Sequence, residues 1–403
     1  MTAPTDPRHL RLAVMLTAAM AAGTLTQFLV GALGPVLIPD LDLSRTEFGV
    51  VTASFFVAGA VLSPMAGRWT DELGGQPLVA LTFFTAGLGF GVMGIAQSHL
   101  GLVLGSVIAG IAGAAANPAT NLLVAEQVPE GRRGTLIGIK QSGVQIGAFV
   151  AGFLPAASTV IGWRGVMFAC AVVSLAGTAL AAPGFRQRRA RRPRRDRAGS
   201  AGSGRDRISP WLAPYAVLMG AGGAAVSTYL PLYAYEAGGF SASRAGLLAA
   251  LIGLVGIISR ILWARLSERV DAAAGPLAII GIGSAASLGL FLLVLVGPSS
   301  ALWVGALVFG ASGAAWNAVG MLAIIRGSDV RAAGRVSGRV LAGFYAGLVI
   351  GPVPFGFAVD QTGSYVGGWG AVAAIYLISV VLALAWGRRL ARQTITAVTD
   401  EGR

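Results

Sequence analysis

Between Leu12 and Trp386 the chain is a succession of apolar runs, parted by short breaks that carry most of the charge. Few folds accept such a pattern. The lipid interior offers backbone groups no water, so each run has to close its own hydrogen bonds as a helix. About 20 residues make one crossing. The runs cover residues 12–38, 48–66, 77–96, 100–125, 135–157, 166–182, 211–233, 245–264, 276–296, 300–325, 336–359 and 367–386. That is twelve, and the expected fold is an all-α membrane protein. Apolar residues make up 55% and charged ones 12%. A soluble domain carries about 25% charged residues, so a soluble enzyme is excluded, and disorder demands low hydrophobicity. The 59 glycines suit helices packed at close range. The first run is too long for a secretory leader and lacks a clean cleavage site.

The net charge of +13 rests on 29 Arg and a single Lys, Lys140. With the N-terminus inside the cell, 24 cations fall in inner loops and tails and three in outer loops (Arg45, Arg164, Arg244). Three more, Lys140, Arg260 and Arg339, lie inside runs. This asymmetry follows the positive-inside rule. Both termini are therefore expected in the cytoplasm of a multi-pass protein of the cell (inner) membrane. The charge marks orientation and implies no nucleic-acid partner. Residues 185–210, Arg-rich and then Gly/Ser-rich, read as a cytoplasmic linker near anionic headgroups. Cys170 stands alone in an apolar run, and the only two His are His9 and His99. No disulfide framework, metal site, cofactor or enzymatic triad is expected.

The chain repeats itself. Gly110, Gly113, Ala114, Ala115 and Asn117 recur at Gly310, Gly313, Ala314, Ala315 and Asn317, and Gly134, Gly138, Gly143 and Gly147 recur at Gly334, Gly338, Gly343 and Gly347. The offset is 200 throughout. Nearer the start of each half it is 197, where Ser44, Gly49, Gly59 and Arg68 match Ser241, Gly246, Gly256 and Arg265. Two six-helix bundles are expected, 1–184 and 211–403, inserted with the same orientation and facing each other across a central interface.

The loop after the second run, Gly67-Arg68-Trp69-Thr70-Asp71-Glu72-Leu73-Gly74-Gly75, resembles the signature loop of the major facilitator superfamily, as do Asn117-Pro118-Ala119 and Gly162-Trp163-Arg164. The resemblance covers nearly the whole chain. It implies that Arg68 and Asp71 belong to a latch between the halves on the cytoplasmic side, with Arg339 near Asp71. Arg265 and Glu268 stand in a degraded second copy, Ala264-Arg265-Leu266-Ser267-Glu268-Arg269. Two departures weaken the match to drug/proton antiporters. The fourth-span Arg common in those exporters falls at about Ser106. Their fifth-span Gly-Pro signature reads Gly143-Val144-Gln145-Ile146-Gly147-Ala148-Phe149-Val150-Ala151-Gly152.

Ionisable groups inside a membrane are costly and mark function. Lys140, Arg260 and Arg339 are all cationic, and no Asp or Glu falls in the middle of a run. Such a set favours an anionic ligand, since Arg presents a planar fork to carboxylate or phosphate. The eighth run up to Arg260 resembles the Arg-bearing span of monocarboxylate transporters and oxalate exchangers, which implies contact between Arg260 and a substrate carboxylate. Plainer readings pair Arg260 with Glu268 or let it cap carbonyls at the cytoplasmic end, and pair Lys140 with Glu268. Among uncharged groups, Gln27, Gln145 and Tyr345 are candidate ligand contacts near mid-depth. Tyr229 joins them, Asn117 and Asn317 bind ligand or hold helices together, and Trp316 stacks on a ligand or faces lipid.

These readings converge on a monomeric secondary transporter working by alternating access, carrying a small organic anion and coupled to protons or another ion. Efflux of a drug or metabolite by proton antiport is the alternative, and a non-transporting membrane sensor is a further one.

Overall fold

The computed structural model describes residues 7–182, 206, 208–270, 272–327 and 330–401. Among them are thirteen helices: α1 Pro7–Asp40, α2 Arg45–Leu73, α3 Gly75–Gly94, α4 His99–Gln127, α5 Glu130–Ala181, α6 Ser209–Glu236, α7 Ala242–Glu268, α8 Ala274–Leu293, α9 Ala301–Ala311, α10 Trp316–Gly327, α11 Val330–Ile350, α12 Pro352–Thr362 and α13 Tyr365–Glu401. They make the twelve crossings expected. Helix α5 holds the fifth and sixth, parted at Gly162, whose φ of 71° and ψ of 162° suit a residue without Cβ. Span ten is α9 plus α10, interrupted over residues 312–315, and span eleven is α11 plus α12, broken at Gly351-Pro352. Eleven helical segments are long and apolar enough to cross a membrane, and the one running Gly131–Ala181 holds two crossings.

The repeat in sequence is a repeat in packing. A methyl built on Gly143 of span five would meet Thr17, Met20 and Ala21 of span one; on the matched Gly343 of span eleven it would meet Ala213 and Val217 of span seven. Likewise Gly110 approaches Phe55 and Ala58, while Gly310 approaches Ile252 and Val255, positions 197 residues on. Small residues recur because they set the same helix–helix distances in each half.

The halves meet where span five packs on span eight, span two on span eleven and span one on span seven. Contact is closest at the end of the molecule remote from the termini. There Gly152 and Gly246 face each other, and a Cβ on either would lie 2.6 Å from the other's carbonyl oxygen. At the terminus-bearing end, a Cβ on Gly134, Gly138 or Gly338 would meet nothing. The seam is closed at the far end and parts toward the termini. At the same end a cavity of about 430 Å³ lies in the first half between spans two and four, lined by Pro64, Gly67, Arg68, Thr70, Asp71, Pro118 and Leu122.

Most of the linker lies outside the described residues; its end is ordered by Asp206. The carboxylate accepts N–H bonds from Ile208 at 3.2 Å and Ser209 at 2.9 Å, takes the Ser209 hydroxyl, and pairs with Arg339 at 2.7 Å. Burial raises its proton affinity, but the Ser209 and Ile208 donors and Arg339 outweigh that, holding the carboxyl below the usual carboxylate range.

Replacing Gly152 with Leu is expected to force spans five and eight apart. Overpacking of this kind costs about 1–3 kcal/mol. A lowered melting temperature of the purified protein is the check; an unchanged one would mean the seam yields freely at this point.

Candidate functional site

Span ten breaks over residues 312–315, and the break leaves helix carbonyls without their usual partners. Span eight supplies donors. The Ser259 hydroxyl donates to the Gly310 carbonyl at 2.8 Å, Trp263 Nε1 to Ala311 at 2.8 Å and Arg260 Nε to Ala314 at 3.1 Å. Ser259, Arg260 and Trp263 fall within one turn, so a single helix face closes the break. Gln145 approaches from the opposite half. With its amide oxygen toward Arg260, it accepts from Nε at 3.3 Å and Nη2 at 3.1 Å. Arg260 is thus held at the seam by two neutral oxygens. It makes no ion pair with Glu268, which is exposed. A guanidinium has five N–H donors, and those left over are available to a planar anion.

Gln141 stands one helical turn before Gln145 and so shares its face. Its Nε2 donates to Asn117 Oδ1 at 3.1 Å. The same oxygen accepts from Lys140 Nζ at 3.3 Å, and Nζ also donates to Thr120 Oγ1 at 2.9 Å and lies 4.0 Å from Met20 sulfur. Lys140 is 0% exposed, inside the first half between spans one, four and five. Among the described residues no carboxylate pairs with it, and Glu268 is not its partner. Asn117 and Gln141 are only partly buried.

The remaining predicted residues divide between two places. Gln27 is partly buried, makes no side-chain hydrogen bond among the described residues, and lies a turn from both Gly23 and Gly31, which approach spans four and seven. Tyr345 packs beside Gly59 with Phe55, Phe56 and Leu348 across the seam. Asn317 is partly buried just past the break. Trp316 is buried between Tyr215 and Phe344, at ring distances of 6.0 and 5.3 Å, as part of the second half's core. Tyr229 lies at the far end, outside the Arg260 cluster. Its hydroxyl donates to the carbonyls of Arg45 at 2.6 Å and Pro352 at 3.0 Å, and its ring stacks on Phe355 at 4.5 Å. At the terminus-bearing end, Arg68 and Asp71 line the cavity described above, Arg265 and Glu268 are exposed, and Arg339 pairs with Asp206 rather than with Asp71.

One group of residues was not anticipated: a latch at the far end. The Asp360 carboxylate of span eleven caps span two of the other half. It accepts from the N–H groups of Arg45 at 2.9 Å and Thr46 at 2.7 Å and from the Thr46 hydroxyl at 2.5 Å. Arg45 reaches back to Glu236 at 2.8 Å, which Tyr365 also holds at 2.6 Å. A carboxylate at a helix N-terminus satisfies free N–H groups and opposes the helix dipole. The sequence signal was an acid ending span eleven and a Ser44 cap opening span two. Within the first half, Asp40 receives Trp163 Nε1 at 2.8 Å and Arg164 at 2.9 Å, which accounts for the Gly162-Trp163-Arg164 stretch.

Twelve crossings in two repeats, closed at one end around a mid-depth cluster, define a multi-pass membrane transporter. The sequence profile of the Major Facilitator Superfamily matches residues 15–338. The chain belongs to that superfamily, whose members and curated relatives here are transporters and not enzymes. It is 25% identical over 357 residues to a class E tetracycline resistance protein of Escherichia coli, covering 83% of this chain and 84% of that one. It is 24% identical over 403 residues to a probable sulfoacetate transporter of Cupriavidus necator, covering 89% of each. A gallate transporter of Pseudomonas putida is 31% identical over 151 residues, 36% of this chain and 33% of that one. Among solved structures, a bacterial homolog of the human lysosomal transporter Spinster, inward-facing and occupied, superposes with a TM-score of 0.78 at 16% identity, covering 95% of this chain and 98% of that one. A D-xylose–proton symporter superposes with a TM-score of 0.72 at 14% identity, covering 94% and 97%. These likenesses carry the fold.

Loss of the far-end latch is expected to open the far side. In a Cys170→Ser background, Leu348→Cys places a thiol in the seam beneath it. Asp360→Ala should raise maleimide labelling of that thiol severalfold, in line with about 1 kcal/mol for a lost cap. Equal labelling with and without Asp360→Ala would show that the latch does not hold the seam.

Proposed function

We propose that the chain is a secondary active transporter that carries a small organic anion by alternating access, binding it at the seam against Arg260. The observation that carries the reading is the Arg260 guanidinium, held by neutral oxygens of Gln145 and Ala314 with donors to spare. A cation so placed, without a carboxylate partner, suits a ligand that brings the missing charge. Gln145 holds it from the first half, and in this reading Gln27, Asn117, Gln141, Asn317 and Tyr345 are the further ligand contacts. The names of relatives support the class: sulfoacetate and gallate are both carboxylates. In this reading the bundles are 1–184 and 211–403, the 185–210 linker and both termini are cytoplasmic, and the protein works as a monomer in the inner membrane. The cycle alternates between the present arrangement, open toward Arg68 and Asp71, and one in which the Asp360 latch parts. An ion gradient, with protons as the family's usual choice, supplies the energy.

The kinship to a tetracycline resistance protein favours a second reading, drug export by proton antiport. The two readings separate on charge. In proteoliposomes loaded in turn with sulfoacetate, gallate, glucuronate and tetracycline, the first predicts exchange of a carboxylate and the second of tetracycline.

Arg260→Ala is expected to lower exchange of the preferred carboxylate about tenfold or more, because a hydrogen bond to a charged group contributes about 1.5–3 kcal/mol. Arg260→Lys should retain part of it. Carboxylate exchange undiminished in Arg260→Ala would remove the residue from the site.

A further inference from the structure

We infer that Lys140 is the proton-carrying group of this transporter: it takes up a proton when an anion binds beside Arg260 and releases it to water at the open end of the seam after the anion leaves. The inference rests on the organic-anion reading and adds the coupling ion and its residue.

Two independent observations meet at this side chain. The first is compositional. Of 30 cations, 29 are Arg, and the one Lys stands at the one fully buried cationic position among the described residues. A chain that uses Arg everywhere else departs from it at a position that water does not reach. Arg keeps its proton in proteins, whereas Lys can surrender one. The second observation is geometric. The three atoms around Nζ are the Asn117 and Thr120 oxygens and the Met20 sulfur, all neutral acceptors. The Thr120 hydroxyl gives its own hydrogen to the Ala116 carbonyl at 2.6 Å, so its lone pair faces Nζ. The hydrogen bonds of the ammonium are met and its charge is not. A buried charge with no counter-charge is relieved by losing its proton, and the neutral amine still donates to two of the same acceptors.

Among the described residues, the surroundings contain no competing titratable group. Span three, packed on spans four and five, has no Asp, Glu, His, Lys or Arg. On the other packed elements the nearest charges in sequence are Arg11 on span one, Glu126 on span four and Arg133 on span five, none of which touches Lys140. Across the seam the facing charge is Arg260. Gln145, which holds Arg260, lies five residues along the same helix, about 7.5 Å of rise. An anion bound there sits within Coulomb range in a poor dielectric, so anion and proton each favour the binding of the other. Asn117 and Gln141, partly exposed and bonded to each other, mark where the Lys140 pocket meets the surface. The step is an acid–base exchange: one N–H bond of the ammonium breaks, the electron pair stays on nitrogen, and the proton passes to water. One proton carried with one monoanion makes the cycle electroneutral.

The test uses the full chain in proteoliposomes with a pH-sensitive dye inside and sulfoacetate, gallate or glucuronate outside. Wild type should bring in one proton per anion carried and accumulate a monoanion about tenfold per unit of pH difference. Lys140→Arg fixes the charge and Lys140→Met removes it. Both should lose proton movement and pH-driven accumulation while still exchanging anion for anion, which also shows that they fold. Anion transport by wild type with no proton movement would overturn the inference and leave the anion reading standing. Proton-coupled transport persisting in Lys140→Arg would overturn it as well. If none of the carboxylates moves in wild type, the anion reading itself falls, and this inference with it.

Discussion

Every part of this molecule depends on one constraint: inside the bilayer no water is at hand to finish an unmade hydrogen bond. A continuous helix meets the constraint unaided. A broken one has to borrow donors, and span ten borrows them from Ser259, Arg260 and Trp263. The break therefore fixes where span eight sits and at what depth its guanidinium lies. It also decides that the guanidinium is not spent on a carboxylate, since a backbone carbonyl and the Gln145 oxygen suffice to hold it. In the proposed reading, a structural repair and a binding group are the same side chain. That economy is what discontinuous membrane helices make available near mid-depth.

The seam shows the converse arrangement. Its far end is joined by contacts that are individually modest: a carboxylate on helix N–H groups, an ion pair with side-chain exposures of 36% and 24%, a tyrosine hydroxyl shared between two carbonyls. Partly exposed ion pairs contribute little, about 0–1 kcal/mol. None of them is a bond that thermal motion cannot break, and together they still favour closure. The glycines of spans five and eight do the rest by letting backbones approach within van der Waals distance. Such a surface separates as a unit when the balance changes, as a rocking interface has to.

The architecture was legible in the chain because it rests on patterns that lipid imposes. Run length set twelve crossings, and the offset of 200 set two like halves that pack through matched glycines. Arg260 and Lys140 were legible as intramembrane cations, and Gln145 as a mid-depth polar group. Their partners were not. The break in span ten follows a stretch of small residues, Gly310-Ala311-Ser312-Gly313-Ala314-Ala315, that equally suits a packed helix; its first-half counterpart in α4 stays helical across the matching positions. Asp360 looks like an ordinary acid at a span end until span two is seen to begin beside it. Tyr229 has the position and chemistry of a ligand contact, yet the half-to-half register places it in the latch. In each case a distant segment, brought near by tertiary packing, decided which of several acceptable local roles a residue took.

In the proposed cycle the two membrane cations divide one electrostatic task in a way their chemistry dictates. Arg260 lies at the seam, where the two halves and the opening between them reach it, so a permanent charge there can be neutralised by what binds and exposed again when it leaves. Lys140 lies inside one half, enclosed by neutral oxygens and a sulfur, where a permanent charge would be costly in every state of the cycle. Only a group able to lose its charge fits that position without a fixed partner. Exchanging the two residue types would defeat both sites: a buried Arg could not shed its charge, and a Lys at the seam would lack the planar fork that lets one group hold a carbonyl, an amide and an anion together.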